Sequence, residues 1–138
     1  MDNLTKDERS ENMRRIRSTG MEPEMVVRRL IHRLGYRYRL HARKMPGKPD
    51  LVFTSRRKVI FVHGCFWHQH ASAKCRITRI PKSNTGYWIS KLTRNAQRDK
   101  KNRCLLRKEG WRVLVIWECE LDKKEQLVRK IVRFLDKL

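Results

Sequence analysis

The sequence predicts an α/β fold in which a central mixed sheet of about four strands is flanked by helices, within one domain spanning residues 1–138. Three observations predict it. A chain of 138 residues can bury one core but not two. Its apolar residues recur in alternating blocks of helical and strand period. A helical segment separates the last two strand-like blocks, which makes that pair parallel, while strands joined by a short turn are antiparallel.

The first 20 residues are polar and basic, with Met13 and Ile16 the only apolar side chains between Leu4 and Met21, and they read as an N-terminal arm or short exposed helix. A firmer helix begins at Glu22: Pro23 suits a first turn, Val26, Val27, Leu30, Ile31 and Leu34 share one face, and Gly35 stops it. Residues 36–40 alternate ring or aliphatic side chains with arginine, the pattern of a half-buried strand, and Met45-Pro46-Gly47-Lys48-Pro49 is a turn. A second strand covers 50–53. After a basic turn, residues 58–62 are β-branched and apolar enough for a central strand that delivers the chain to His63.

Residues 64–83 mix glycine, rings, histidines and cysteines without a period, as an inserted functional loop does. A long helix follows over 87–109, ended by Gly110, with Trp88, Leu92, Ala96 and Leu106 toward one side and a basic solvated surface elsewhere. Residues 111–117 form the last strand. The final helix, 122–138, turns Leu127, Val128, Ile131, Val132 and Leu135 inward.

Lysine and arginine number 35 against 14 aspartate and glutamate, a net charge of +21. So large an imbalance strains a compact chain unless a polyanion is its usual partner, and nucleic acid is that partner. A ribosomal or histone-like coat protein would carry the same charge without chemistry. A membrane surface fits less well, because the apolar residues are spent on core patterns. No apolar stretch opens the chain and none approaches the length of a membrane span, so a cytoplasmic protein is expected. In a reducing compartment clustered cysteines point to metal rather than to disulfides.

Cys65, His70 and Cys75 are spaced C-x4-H-x4-C, close enough for one loop to wrap a zinc ion, with the fourth ligand to come from elsewhere. Cys119 is the best placed, just beyond the strand that runs beside the one ending at His63. Cys104 competes, although beside Leu105 and Leu106 in a helix it suits a small, partly buried hydrophobe equally well. Four protein ligands leave no open position, so such a zinc is structural and the catalytic metal is a different one.

Asp50 opens a strand after a glycine turn, at a sheet edge that faces Glu24. Phosphodiester hydrolysis can use magnesium held by one or two carboxylates together with phosphate oxygens. His63 ends the neighbouring strand and reaches the same cleft, where an imidazole can move a proton at neutral pH. Taken singly it also reads as a hydrogen-bonded structural histidine, and His68 is an alternative to His70 as a ligand. Phe66 and Trp67 lie side by side in a polar loop, where two large rings need a partner, and DNA bases are one. The cost of wedging a ring between base pairs falls at a mismatch, so intercalation favours a wobble pair.

Together Pro49-Asp50, the tract Phe61-Val62-His63-Gly64-Cys65-Phe66-Trp67-His68, Gly110-Trp111-Arg112-Val113 and Trp117-Glu118-Cys119 resemble the very-short-patch repair (Vsr) endonucleases, a family of DNA mismatch endonucleases. The resemblance extends to Arg-Ser-x-Asn-Met-Arg at 9–14, to Arg-Ser-Thr-Gly-Met-Glu-Pro-Glu at 17–24 and to Tyr87-Trp88, and so covers nearly the whole chain. It implies a restriction-endonuclease-like PD-(D/E)xK core. The second acid and the lysine of that wider class are absent from Val59-Ile60-Phe61-Val62-His63, an absence the family shares. It implies a magnesium-dependent enzyme that nicks duplex DNA 5' to the thymine of a T:G mismatch, the product of 5-methylcytosine deamination, as a monomer at the bacterial nucleoid. Carried over by position, Asp50 is the magnesium ligand, His63 the proton-transfer group, and Glu24 and His68 help position water and phosphate. Zinc is held by Cys65, His70, Cys75 and Cys119. Phe66, Trp67 and Trp88 enter the base stack from the major groove and Met13 from the minor groove. Residues 71–74 form a longer and less histidine-rich stretch than in the best-known members. Two rival functions share much of this sequence: a related nicking nuclease without T:G preference, and a non-enzymatic, zinc-stabilised DNA-binding module.

Overall fold

The computed structural model describes residues 22–40, 42–70, 80 and 82–137. The N-terminal arm with Met13 and the loop stretch with Cys75 lie outside the described residues. Helix α1 (Pro23–Arg33) leads to β1 (Leu51–Phe53), a 3-10 turn (Thr54–Arg56), β2 (Lys58–His63) and a one-turn helix α2 (Cys65–His68). The long α3 (Thr85–Lys108), β3 (Arg112–Trp117), a second 3-10 turn (Glu118–Asp122) and α4 (Lys124–Asp136) complete the order.

The sheet runs β1-β2-β3. As the connections require, β1 and β2 are antiparallel, with Val52 opposite Val59, and β2 and β3 are parallel. The parallel register starts at Lys58 beside Arg112 and ends at His63 beside Trp117, so these two rings leave the sheet together at one edge.

One face of the sheet carries α1 and α4, where Val27, Ile31, Leu51, Phe53, Ile60, Ile116, Leu127, Ile131 and Leu135 form a buried cluster. The other face carries α3, whose Leu106 packs with Val52, Val59 and Phe61. Truncating Ile31 or Ile131, both without solvent exposure, costs about 2–5 kcal/mol of stability. Lys58 is buried on the same sheet and donates to the carbonyls of Phe134, Leu135 and Lys137, satisfying the end of α4; burial lowers its pKa.

The structure corrects two expectations. Among the described residues the sheet has three strands and not four, because residues 36–40 contribute a single bridge, Arg39 to Val52. The phenols of that segment are held by helices instead: Tyr36 donates to Asp136 Oδ1 at 2.7 Å and Tyr38 to the Arg28 carbonyl at 3.1 Å. β1, three residues long and followed at once by a 3-10 turn, offers little more to pair with. The second correction is α2, which lies in the stretch expected to be irregular; at four residues it is too short to show a period.

Candidate active site and metal centre

Asp50 is placed by the turn before it and the strand beside it. Gly47 has φ +74°, and a Cβ there would lie 3.0 Å from Asn102 Cβ and 3.1 Å from the Phe61 ring. Only glycine lets the turn press this closely between β2 and α3. Asp50 then bonds through its amide to the Ile60 carbonyl at 3.1 Å, and its Oδ2 accepts the Val62 amide at 2.7 Å. Burial pushes its carboxyl up to about 6, against the lowering effect of the Val62 bond; the charge of Glu24 adds to the rise, and Arg28 and His68 oppose it.

A cleft of about 190 Å³ opens here, lined by Lys48, Asp50, His63, His68, Asp99, Asn102 and Arg103 among others. His63 and His68 stack in parallel, their centroids 3.8 Å apart and their planes within 7°. His63 is 4% exposed, and burial, helped by the His68 and Arg103 charges, lowers its pKa to about 4; it is therefore a neutral imidazole at pH 7. His68 donates from Nδ1 to Asp99 Oδ2.

The expected catalytic residues Asp50, His63 and His68 thus share one cleft. Glu24 stands outside the lining, paired with Arg28 one turn on, yet close enough to act on the Asp50 charge. Asp99 was not foreseen: in a helix crowded with lysine and arginine it looked like part of a solvated face. It is the sole acid among the 24 residues of α3, and that was the available signal.

The second group gathers behind α2. Cys119 Sγ lies 3.4 Å and Cys65 Sγ 3.7 Å from His70 Nδ1, and the Cys119 amide donates to Cys65 Sγ at 3.4 Å. Cys65, His70 and Cys119 place one donor atom each within 4.8 Å of the others. Two thiols and an imidazole whose pKa burial lowers form a soft donor set that fits zinc, and the strand end that supplies Cys119 is the one expected from the sequence. Cys75 lies outside the described residues. Cys104 is exposed on α3 and is neither a member of the cluster nor the partly buried hydrophobe its neighbours suggested.

His63, His68 and Asp99 also bring donors within 4.8 Å of one another. Their geometry argues against a shared ion: an imidazole offers its lone pair in the ring plane, and two stacked rings direct theirs along parallel planes.

α2 joins the two groups, because it carries Cys65 and His68 at its ends and Phe66 and Trp67 between them. Glu118 Oε1 accepts the Cys65 amide at 3.3 Å, Asn95 Nδ2 donates to the Trp67 carbonyl at 3.2 Å, and Gln69, at φ +47°, turns the chain away. The Phe66, Trp67 and Trp88 rings lie 5.1 to 5.8 Å apart, with Tyr87 edge-on to Trp88 at 5.1 Å. Trp67 is 47% exposed and Tyr87 58%. The helical spacing of Trp88 by itself favours packing on the sheet, but its ring lies in this partly exposed aromatic patch.

The family model described as DNA mismatch endonuclease Vsr matches residues 1–74. The type II nicking enzyme V.XorIIP of Xanthomonas oryzae is 47% identical over 98% of this chain and 97% of its own length. The type II nicking enzyme V.NmeAIP of Neisseria meningitidis is 42% identical over 94% and 96%. The DNA mismatch endonuclease Vsr of Escherichia coli is 39% identical over 86% of this chain and 74% of its own.

Proposed function

Since the chain belongs to the DNA mismatch endonuclease Vsr family and is a DNA endonuclease, we propose that it nicks one strand of duplex DNA 5' to the thymine of a T:G mismatch by magnesium-dependent hydrolysis. The observation that carries this is the position of α2, which ties an aromatic patch able to enter a base stack to a cleft holding a half-buried carboxylate and a neutral histidine. Reading and cutting groups then move as one body.

Asp50 fits a magnesium site: it is an oxygen donor whose burial disfavours the bare carboxylate, in a cleft whose lining also includes the Asp99 carboxylate beside Lys48 and Arg103. Magnesium bound there would place positive charge on the phosphoryl oxygens and the leaving oxygen. His63, neutral at pH 7, takes the proton of the attacking water at Nε2, because its Nδ1 is buried without a hydrogen-bond partner among the described residues. His68, donating from Nδ1 to Asp99, has Nε2 left over, and that nitrogen donates to a phosphate oxygen when the ring carries both protons. Glu24 helps orient water beside Asp50.

Phe66, Trp67 and Trp88 enter the stack at the mismatch, where unstacking is least costly, with Met13 of the arm on the minor-groove side. Cys65, His70 and Cys119, with Cys75 as fourth ligand, hold a structural zinc that keeps α2 in place.

The test is a nicking assay on otherwise identical T:G and matched duplexes with and without magnesium, run on the parent and on Asp50→Ala. Selective T:G nicking by the parent and none by the variant is expected. Equal cleavage of both duplexes would leave a nicking nuclease without mismatch preference, and a parent that breaks no strand with any divalent ion would be a DNA-binding module only.

A further inference from the structure

The cleft and the cysteine–histidine cluster are bridged by a side chain assigned no role so far. His68, His63, Trp117 and His70 form an unbroken run of rings. His68 lies flat on His63; Trp117 meets His63 edge-on, with centroids 5.2 Å apart at 77°; and His70 lies flat on Trp117, 4.3 Å away at 8°.

A histidine that moves protons is ordinarily held in its plane by a hydrogen bond at the nitrogen it does not use, from a carboxylate or a backbone carbonyl. His63 lacks that restraint, since its Nδ1 is buried and has no hydrogen-bond partner among the described residues. The torsion that turns an imidazole is broad, so a bond or packing must choose the angle. Packing against His63 comes from His68, from Trp117 and, tilted at 5.5 Å, from Phe61. His68 is itself committed to Asp99. Trp117 is anchored independently: its amide donates to Glu120 Oε1 at 2.8 Å, its strand position pairs in register with His63, and its face rests on His70.

We propose that Trp117 is a positioning residue that fixes the ring plane of His63 by packing, in place of a hydrogen bond at Nδ1, and takes its own orientation from His70. The cysteine–histidine cluster thereby sets the geometry of the proton-transfer group through one indole. This rests on His63 being that group. A misplacement on the order of 1 Å in a reacting atom slows chemistry by about 10²-fold, so the effect is large enough to measure.

The experiment compares Trp117→Leu, which removes the flat ring, with Trp117→Phe, which keeps one, and runs His63→Ala beside them. Single-turnover nicking at saturating enzyme is measured on one T:G duplex, and affinity for the same duplex with calcium in place of magnesium. Trp117→Leu is expected to nick about 10- to 100-fold more slowly with affinity within about threefold of the parent, and Trp117→Phe to recover most of the rate. In histidine-labelled protein the ring resonances of both His63 and His70 should move in Trp117→Leu while those of His32, exposed on α1, stay. Should the leucine variant fail to fold, Trp117→Met, which fills the space without a plane, takes its place. A leucine or methionine variant that nicks at the parental rate, or a phenylalanine variant as slow as they are, overturns the proposal. A His63→Ala enzyme at the parental rate would instead overturn the assignment of His63 on which it rests.

Discussion

Trp117 has a group of donor atoms on either side of it, and in each the donors lie within 4.8 Å of one another. On one side His63 and His68 lie face to face, and Asp99 grips the outer ring. On the other, two thiols close on a single imidazole nitrogen. Residue types overlap between the two and spacing is alike, yet stacked rings direct their lone pairs along separate planes, whereas the Cys65 and Cys119 sulfurs both lie within 3.7 Å of one His70 nitrogen. The difference teaches that orientation, more than the roll of ligating residues, separates a group suited to proton transfer from one suited to holding an ion. The cleft is costly to stability, with a half-buried carboxylate and a buried unpartnered ring nitrogen. The cysteine–histidine side offsets that by tying α2 to the end of β3.

The largest way to break the comparison is His63→Ala. On the proton-handling side it should slow single-turnover nicking by about 10²- to 10⁴-fold while DNA affinity holds. A parental rate would show that His63 is structural. Asp99→Asn leaves the His68 ring in place but removes its charge partner, and should slow nicking by roughly 10- to 100-fold. An unchanged rate would reduce the Asp99 pair to a surface contact.

Trp67→Ala probes α2, which both sides share. Losing one stacking ring should weaken binding to the T:G duplex by about 1–3 kcal/mol, and binding to the matched duplex by less. Equal loss on both duplexes would mean that the ring contacts DNA without reading the mismatch.

The smallest effect is on pH-dependent stability, and it sharpens the contrast within the cleft. Asp50 has a folded pKa raised to about 6 from 3.8, so its contribution to stability is present below about 3.8 and lost as pH rises through about 6. His63 has a folded pKa lowered to about 4 from 6.5, so its contribution is present above 6.5 and lost as pH falls through about 4. Between these values the two slopes oppose each other. Asp50→Asn removes one of them, and its metal-free melting midpoint should climb with pH from 4 to 6.5 more steeply than the parent's. Parallel curves would contradict the burial of both groups.

Much of this was legible in sequence because it is periodic or local. Apolar spacing located α1, α3 and α4, and the β-branched run 58–62 marked the central strand. The helical crossover before β3 gave the parallel pairing that carries Cys119 to Cys65. What stayed hidden depends on contacts distant in sequence. Tyr36 and Tyr38 alternate like strand residues, but their hydroxyls choose Asp136 and the Arg28 carbonyl. Asp99 acquires meaning only when α3 is laid beside α2. Trp117 read as one more apolar strand residue, and nothing in its neighbours announces that it would separate two histidines.

The division of labour across Trp117 is tested most directly by measuring magnesium-dependent nicking and metal-free and metal-loaded melting midpoints on the same preparations of Asp50→Asn and Cys119→Ser. Asp50→Asn is expected to lose nicking yet melt, without metal at neutral pH, at or above the parental midpoint, because a desolvated charge has been removed. Cys119→Ser is expected to melt roughly 5–10 °C lower than the zinc-loaded parent, and zinc should no longer raise its midpoint as it does the parent's. An Asp50→Asn enzyme that nicks at the parental rate, or a Cys119→Ser protein with unchanged melting, would contradict it.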